Sequence, residues 1–199
     1  MRKKNILKVH MLGEFYMENK YYRFPQDTKK SVQLILLIAY LIAYRHTVVT
    51  KAKLIDILWK DEESTNPEGA LRNLVYRARK ELQKFFPDKE VQCILSKGNT
   101  YAWNPQVECS FDMEEMEELC QLIEKEMDTD IAYERCTQLL QEYREDFLSE
   151  FSDQSWVELQ KGAYDNLLMR ATHHTCSLLM NSERYDDVIR LSDILGFKY

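Results

Sequence analysis

The stretch from Asn66 to Leu82, NPEGALRNLVYRARKEL, concentrates side chains that hydrogen-bond to anions and to the edges of planar polar groups. These side chains are Arg72, Asn73, Tyr76, Arg77, Arg79 and Lys80. Arginine and asparagine can each form two parallel hydrogen bonds with one base edge, whereas lysine binds phosphate as a compact charge. The residue types therefore predict a surface that contacts a polyanion.

The spacing within this stretch predicts an amphipathic helix over residues 66–83. The apolar residues that share one narrow arc at about 100° per residue are Leu71, Leu74, Val75, Ala78 and Leu82. Asn66 or Thr65 can cap the helix, and Pro67 suits its first turn. The basic residues then lie on and beside the opposite, exposed face. A solvated helix whose charges only balance nearby glutamates would look similar, so the helix alone does not decide its role.

A second candidate segment is VQCILSKGNTYAW, residues 91–103, in which Lys97, Gly98 and Asn99 form a turn between two strand-like runs. Gly98 supplies the backbone freedom that a tight turn needs, so we predict a β-hairpin with a basic tip. Lys97 at this tip could lie along the backbone of a neighbouring polyanion.

Charge is divided unevenly along the 199 residues. Residues 1–104 contain 19 Lys and Arg against 11 Asp and Glu, a net charge of +8, and residues 105–199 contain 8 against 22, a net charge of −14. Together they give the overall −6. A basic half is suited to a polyanion surface and an acidic half is not.

The elements around the helix and the hairpin predict an α+β first domain over residues 1–105. Alternating apolar residues from Leu7 to Met17 predict a small antiparallel sheet. Two helices follow, one from about Lys29 to Arg45 and one capped by Thr50. With helix 66–83 and the hairpin, this is the order of a winged helix-turn-helix domain, in which a helix can enter the major groove of DNA.

Residues 110–199 predict an all-α second domain. Asp112 and Glu115 have the spacing of a capping box. A long helix after Asp153 carries the apolar series Trp156, Leu159, Ala163, Leu167, Ala171 and Leu178. Helix pairs joined by short turns predict a tetratricopeptide-like array. Since such arrays need a further helix over their last apolar face, we expect this domain to be truncated at its C-terminus.

Several segments resemble a family of bacterial regulators. MLGEF, LLIAYLIAYRHTVVTKAKLIDILWKD, ALRNLVYRARKEL and SKGNTYAW resemble the OmpR-type DNA-binding domain, in the variant found in SARP-type transcriptional activators. FDMEEMEEL, YREDFLSEF and SWVELQKGAYDNLLMRA resemble the bacterial transcriptional activator domain that follows it in that family. The resemblance covers nearly the whole chain.

This resemblance implies a sequence-specific DNA-binding transcriptional regulator, expected to be an activator. Helix 66–83 would be the recognition helix in the major groove, and the wing, residues 96–101, would contact the flanking DNA. Arg72, Asn73, Tyr76 and Arg77 match positions near bases or phosphates. Arg79 and Lys80 match positions that contact phosphates or form ion pairs, and Lys97, Asn99 and Thr100 match the wing tip. Double-stranded DNA is the expected partner, RNA polymerase a further one, and self-association on repeated half-sites is expected because one module touches few base pairs.

Other functions have less support in the sequence. His173, His174 and Cys176 are neighbours, but no second cluster completes a metal site, so we expect neither a metal nor a cofactor. No Gly-rich phosphate loop, GxSxG or HExxH is present, so we expect no enzyme. The main alternative is a protein-protein interaction module, in which the helical array binds a partner and the winged helix serves as a dimer or protein-binding surface.

The spacing of the cysteines and the hydropathy of the chain indicate its cellular compartment. The five cysteines are scattered and form no CxxC pair, which is typical of free thiols in a reducing cytoplasm. The longest apolar run, VQLILLIAYLIAY, is too short to span a bilayer. We therefore expect a cytoplasmic protein with no membrane contact.

Overall fold

The chain forms two structural units. The computed structural model describes residues 6–26, 32–59 and 66–196. The first unit comprises the described residues up to Val9 and from Phe15 to Ser110. The second comprises His10–Glu14 and the described residues from Phe111 onward. The sequence assigned residues 10–14 to the first domain. They belong to the second unit because their backbone bonds there, as in Leu148 N–H to Met11 O at 2.8 Å.

Seven short strands form two sheets within the described residues. They are β1 (Leu7–His10), β2 (Tyr16–Glu18), β3 (Arg23–Phe24), β4 (Val49–Thr50), β5 (Ile94–Lys97), β6 (Thr100–Trp103) and β7 (Cys109–Phe111). One sheet has the order β3-β2-β1-β7 and the other β4-β6-β5. The alternation from Leu7 to Met17 predicted half-buried strands, and these apolar residues are buried in the structure.

Three helices accompany these sheets in the first unit: α1 (Val32–Ala43), α2 (Lys51–Leu58) and α3 (Pro67–Gln83). The predicted start of the first helix near Lys29 lies outside the described residues. Thr50 caps α2 as expected, since its hydroxyl accepts the backbone N–H of Lys53 at 3.2 Å. The C-terminal end of α3 is held by Tyr22, whose hydroxyl donates to Glu81 at 2.9 Å.

The second unit contains α4 (Asp112–Lys125), α5 (Thr129–Glu142), a 3₁₀ turn (Ser149–Phe151), α6 (Ser155–Asn181) and α7 (Tyr185–Gly196). Their facing sides bury one apolar cluster of Met116, Cys120, Ile123, Cys136, Leu139, Leu140, Leu168, Ala171, Leu179 and Leu191. No helix among the described residues is long and apolar enough to cross a membrane.

The predicted capping box at the start of α4 is wrong. Asp112 is the first residue of the helix rather than its cap. Its carboxylate accepts the backbone N–H groups of Met11, Leu12 and Met113 at 2.8–3.0 Å. A buried carboxylate requires several donors, and the segment 10–14 supplies two of them.

The apolar series predicted for the long helix is also partly wrong. Leu159 is 71 % exposed and Ala163 is exposed. The buried residues of α6 are instead Trp156, Val157, Leu168, Ala171, Thr172, Thr175 and Leu179. Two of these are threonines, which satisfy their hydroxyls by donating to the carbonyl one turn earlier. An apolar count misses them.

Candidate nucleic-acid interface

Helix α3 presents the polar surface that the sequence predicted. The side chain of Asn66 caps it by accepting the backbone N–H of Gly69 at 2.9 Å, and Pro67 occupies the first turn. Its apolar arc is buried at Leu71, Leu74, Val75, Ala78 and Leu82. This arc faces α1 and α2, so the opposite side of α3 is left to solvent.

The exposed side of α3 carries five of the six predicted contact residues, namely Arg72, Asn73, Tyr76, Arg77 and Lys80. Within the described part of the chain, Arg72, Asn73 and Arg77 have neither a hydrogen-bond nor an ion-pair partner. The ammonium of Lys80 lies over the ring of Tyr76, 4.9 Å from its centroid, and Tyr76 is 58 % exposed. The surface therefore offers donors that are available to a bound molecule.

Arg79 differs from the other basic residues of α3. Its Nε and Nη2 donate to the carbonyl of Ile94 at 3.0 and 2.9 Å, and Nη2 also donates to the hydroxyl of Ser96 at 3.2 Å. Ile94 and Ser96 both belong to β5. The guanidinium of Arg79 is thus engaged with the hairpin in the free protein, whereas the sequence suggested phosphate contacts or ion pairs.

The β5–β6 hairpin has the turn that the sequence predicted. Lys97 pairs with Thr100 across the strands, and Gly98 takes a positive φ of 55° that glycine adopts without strain. Lys97 and Asn99 are exposed, while the hydroxyl of Thr100 donates to the carbonyl of Lys97 at 2.9 Å. Thr100 therefore shapes the tip, and the lysine ammonium remains available.

The tip of this hairpin lies beside the start of α2. Strand β4 pairs with β6, with Thr50 opposite Thr100, and the backbone N–H of Lys51 donates to the carbonyl of Asn99 at 3.0 Å. Lys51 therefore lies next to the tip, and the exposed Lys53 follows two residues later in the sequence. The ammonium of Lys53 lies 3.5 Å from the carboxylate of Asp56. Sequence reasoning missed both lysines. The signal was a capping threonine followed by two lysines, but the two-residue strand that positions them could not be predicted.

The neighbouring residues His173, His174 and Cys176 lie on α6 in the second unit. Within the residues that the structure describes, no group of three or more His, Cys, Asp or Glu side chains could hold a metal ion. His173 is exposed, and the imidazole Nε2 of His174 lies 2.7 Å from the carbonyl of Glu126. His174 therefore has a structural contact inside the second unit.

Comparisons with known proteins concern the fold. No protein-family model and no curated protein matches this chain. Its structure is similar to that of Mycobacterium tuberculosis EmbR, which was solved in complex with a low affinity phosphopeptide. The TM-score is 0.72 at 19 % sequence identity, over 98 % of this chain and 51 % of the EmbR chain. The chain thus spans about half the length of that structure, and at this identity the likeness shows a shared fold.

Proposed function

We propose that this chain is a sequence-specific DNA-binding transcription regulator of the SARP type. In this proposal the first unit is a winged helix-turn-helix domain, α3 is its recognition helix and the β5–β6 hairpin is its wing. The fold of EmbR, a SARP-family regulator, supports the class. The second unit corresponds to the tetratricopeptide-like activator domain of the family.

The observation that carries the proposal is the exposed face of α3. Arg72, Asn73 and Arg77 point away from the core and have no partner among the described residues. Arginine and asparagine distinguish bases through paired hydrogen bonds in the major groove, which is about 12 Å wide and admits one helix. The 17 residues of α3 give a rod about 25 Å long, enough to cross that groove.

The remaining basic residues would bind the DNA backbone. Lys80 on the same face, Lys97 at the hairpin tip and Lys51 at the start of α2 are suited to phosphates on either side of the groove. Such contacts fix the register of the protein on the duplex without specifying sequence. Tyr76, with its exposed ring, would contact a thymine methyl group or a phosphate.

The second unit would supply protein contacts rather than DNA contacts. Its net charge is strongly negative, and phosphates would be repelled. Leu122, Met127 and Ile131, around the connection of α4 to α5, are 53 %, 76 % and 41 % exposed. We propose that this unit mediates activation through RNA polymerase or self-association on repeated half-sites. We further propose a cytoplasmic location and no enzymatic activity or cofactor.

Fluorescence anisotropy tests the proposal directly. Duplexes from the neighbourhood of the encoding gene would be titrated with the full chain at several salt concentrations, beside a scrambled duplex of equal length. We expect preference for one duplex and a log-log salt slope of about −0.9 for each phosphate contacted. Absent or salt-insensitive binding would reject DNA binding and would favour the alternative, in which this surface binds protein.

A further inference from the structure

Arg79 joins the two parts of the proposed interface. It lies on α3 seven residues after Arg72, which places the two side chains within about 20° of each other around the helix. Arg72 is exposed and has no partner among the described residues, whereas Arg79 is half-buried and bonded to β5. The same residue type on the same side of one helix thus has two different surroundings.

The acceptor of Arg79 explains this difference. Strand β5 is at one edge of the sheet β4-β6-β5, so part of its backbone has no neighbouring strand. Ile94 is fully buried, and its carbonyl receives two N–H groups of the guanidinium. If Arg79 turned away to bind a phosphate, that carbonyl would lose both donors, which is unfavourable for a buried group.

The hairpin is therefore held from both sides. On the β4 side, the backbone N–H of Lys51 donates to Asn99 at 3.0 Å. On the β5 side, the fork of Arg79 reaches Ile94 and Ser96. Without the bonds from Arg79, the edge strand β5 would depend on its pairing with β6 and on its buried side chains, and the position of Lys97 relative to α3 would vary.

We propose that Arg79 is a positioning residue that fixes the hairpin tip relative to the exposed face of α3, and that it acts on DNA through Lys97 rather than by touching a phosphate. This inference rests on the proposed function. It predicts energetic coupling between Arg79 and Lys97, because both substitutions remove the same contact. It predicts no coupling between Arg72 and Lys97.

A double-mutant cycle in the full chain tests this inference. The variants are Arg79→Ala, Lys97→Ala, the two combined, and the matched control Arg72→Ala alone and with Lys97→Ala. We expect Arg79→Ala to weaken DNA binding by about fivefold at most, no more than Lys97→Ala does, and to reduce the salt slope by about 0.9, as loss of one phosphate contact would. In the Arg79→Ala background, Lys97→Ala should then have no further effect. Additive losses would mean that Arg79 contacts DNA itself, which would overturn the proposal.

Hydrogen exchange without DNA separates this inference from the proposed function. We expect the amides of β6 to exchange about tenfold faster in Arg79→Ala and at an unchanged rate in Arg72→Ala, since Arg79 bonds to β5 and Arg72 does not bond to any described residue. Ser96→Ala, which removes one acceptor and leaves the fold intact, should show a smaller increase. Unchanged exchange in Arg79→Ala would overturn the anchoring. If Arg79→Ala exchanged faster but the unaltered chain bound no DNA, the anchoring by Arg79 would stand. The proposed DNA-binding function would then be wrong, and so would the role assigned to Lys97.

Discussion

The positive charges of the second unit and those on the exposed face of α3 have different surroundings. Among the described residues of the second unit, most cations are paired with carboxylates of the same unit. Arg135 lies 2.7 Å from Glu126, and Lys161 lies 2.6 Å from Asp165. In the first unit, Arg72 and Arg77 on α3 have no partner among the described residues.

This difference indicates where a partner molecule would act. A paired cation gains little from a new anion, because binding would first break its existing contact. An exposed and unpaired cation can meet a phosphate and release counterions. The cations of the second unit therefore contribute to contacts within that unit, whereas those on α3 are suited to the binding role that we propose. The predictions below test that separation.

The largest effect is expected in the core of the second unit. Leu139→Ala removes a fully buried side chain and should lower the free energy of unfolding by about 2–5 kcal/mol. The matched control is Leu159→Ala, at a side chain 71 % exposed, which should cost about 0.5 kcal/mol or less. Urea unfolding measures both. If Leu139→Ala also abolished DNA binding in the folded protein, the separation of roles would be wrong.

The next effect concerns pH and a buried carboxylate of the second unit. Burial raises the pKa of Asp112 to about 6, although backbone N–H groups of Leu12, Met11 and Met113 oppose the rise. The usual value is 3.8, so between about pH 4 and pH 6 the folded state holds a proton that the unfolded state has released. The contribution of Asp112 to the free energy of unfolding is therefore fully present below about pH 4. It declines as the pH rises through about 6, by about 3 kcal/mol in total.

Asp112→Asn tests this pH dependence because an amide cannot ionise. Urea unfolding would be measured at intervals from pH 4 to pH 7. The free energy of unfolding of Asp112→Asn, taken relative to that of the unaltered chain, should increase with pH. Other carboxylates titrate in the same range in both proteins, so only the difference between the two curves is informative. A difference that stays constant with pH would contradict the assignment to Asp112.

The third prediction concerns base contacts by α3. Arg77→Ala should weaken binding to the preferred duplex by about 1–3 kcal/mol and relax preference at one base position. Arg144→Ala, at an exposed arginine of the second unit, is the matched control and should leave affinity unchanged. Anisotropy against a set of duplexes with single substitutions provides the measurement. Equal losses for all duplexes would assign Arg77 to the backbone.

A smaller effect is expected at the N-terminus of α3. Asn66→Ala removes the side-chain oxygen that accepts the N–H of Gly69 and should cost about 1 kcal/mol of stability. Asn66→Ser keeps an acceptor and serves as the control. Thermal unfolding should show a midpoint lowered by a few degrees for alanine and little change for serine. Equal midpoints for both variants would mean that the cap contributes nothing.

Local pattern was sufficient to predict much of the candidate site. The arc from Leu71 to Leu82 predicted the buried side of α3, because helical spacing determines which side chains share a face. The Lys97-Gly98-Asn99 turn predicted the hairpin for a similar reason, since the glycine permits a positive φ. The prediction of the site on α3 needed no knowledge of distant contacts.

Long-range contacts account for what the sequence did not predict. The guanidinium of Arg79 bonds to two residues that follow it by 15 and 17 positions in the sequence. The carboxylate of Asp112 bonds to residues about 100 positions earlier. The exposed Leu159 follows from which neighbours pack on α6. The pattern within one element gives no information about such partners, so Arg79 on a basic helix was expected to contact phosphates or to form ion pairs.

The smallest effect is expected at the hairpin tip, and its control is a lysine on the other sheet of the same unit. Lys97→Ala should lower affinity by about 1 kcal/mol or less, equally for all duplexes, and reduce the salt slope by about 0.9. The control is Lys8→Ala, at an exposed lysine of β1, which should leave the slope unchanged. Both variants remove one positive charge from the first unit, so a general charge effect would alter both slopes equally. Only a change confined to Lys97→Ala would show that the phosphate contact depends on the position of the tip, which is set by Arg79 and Lys51.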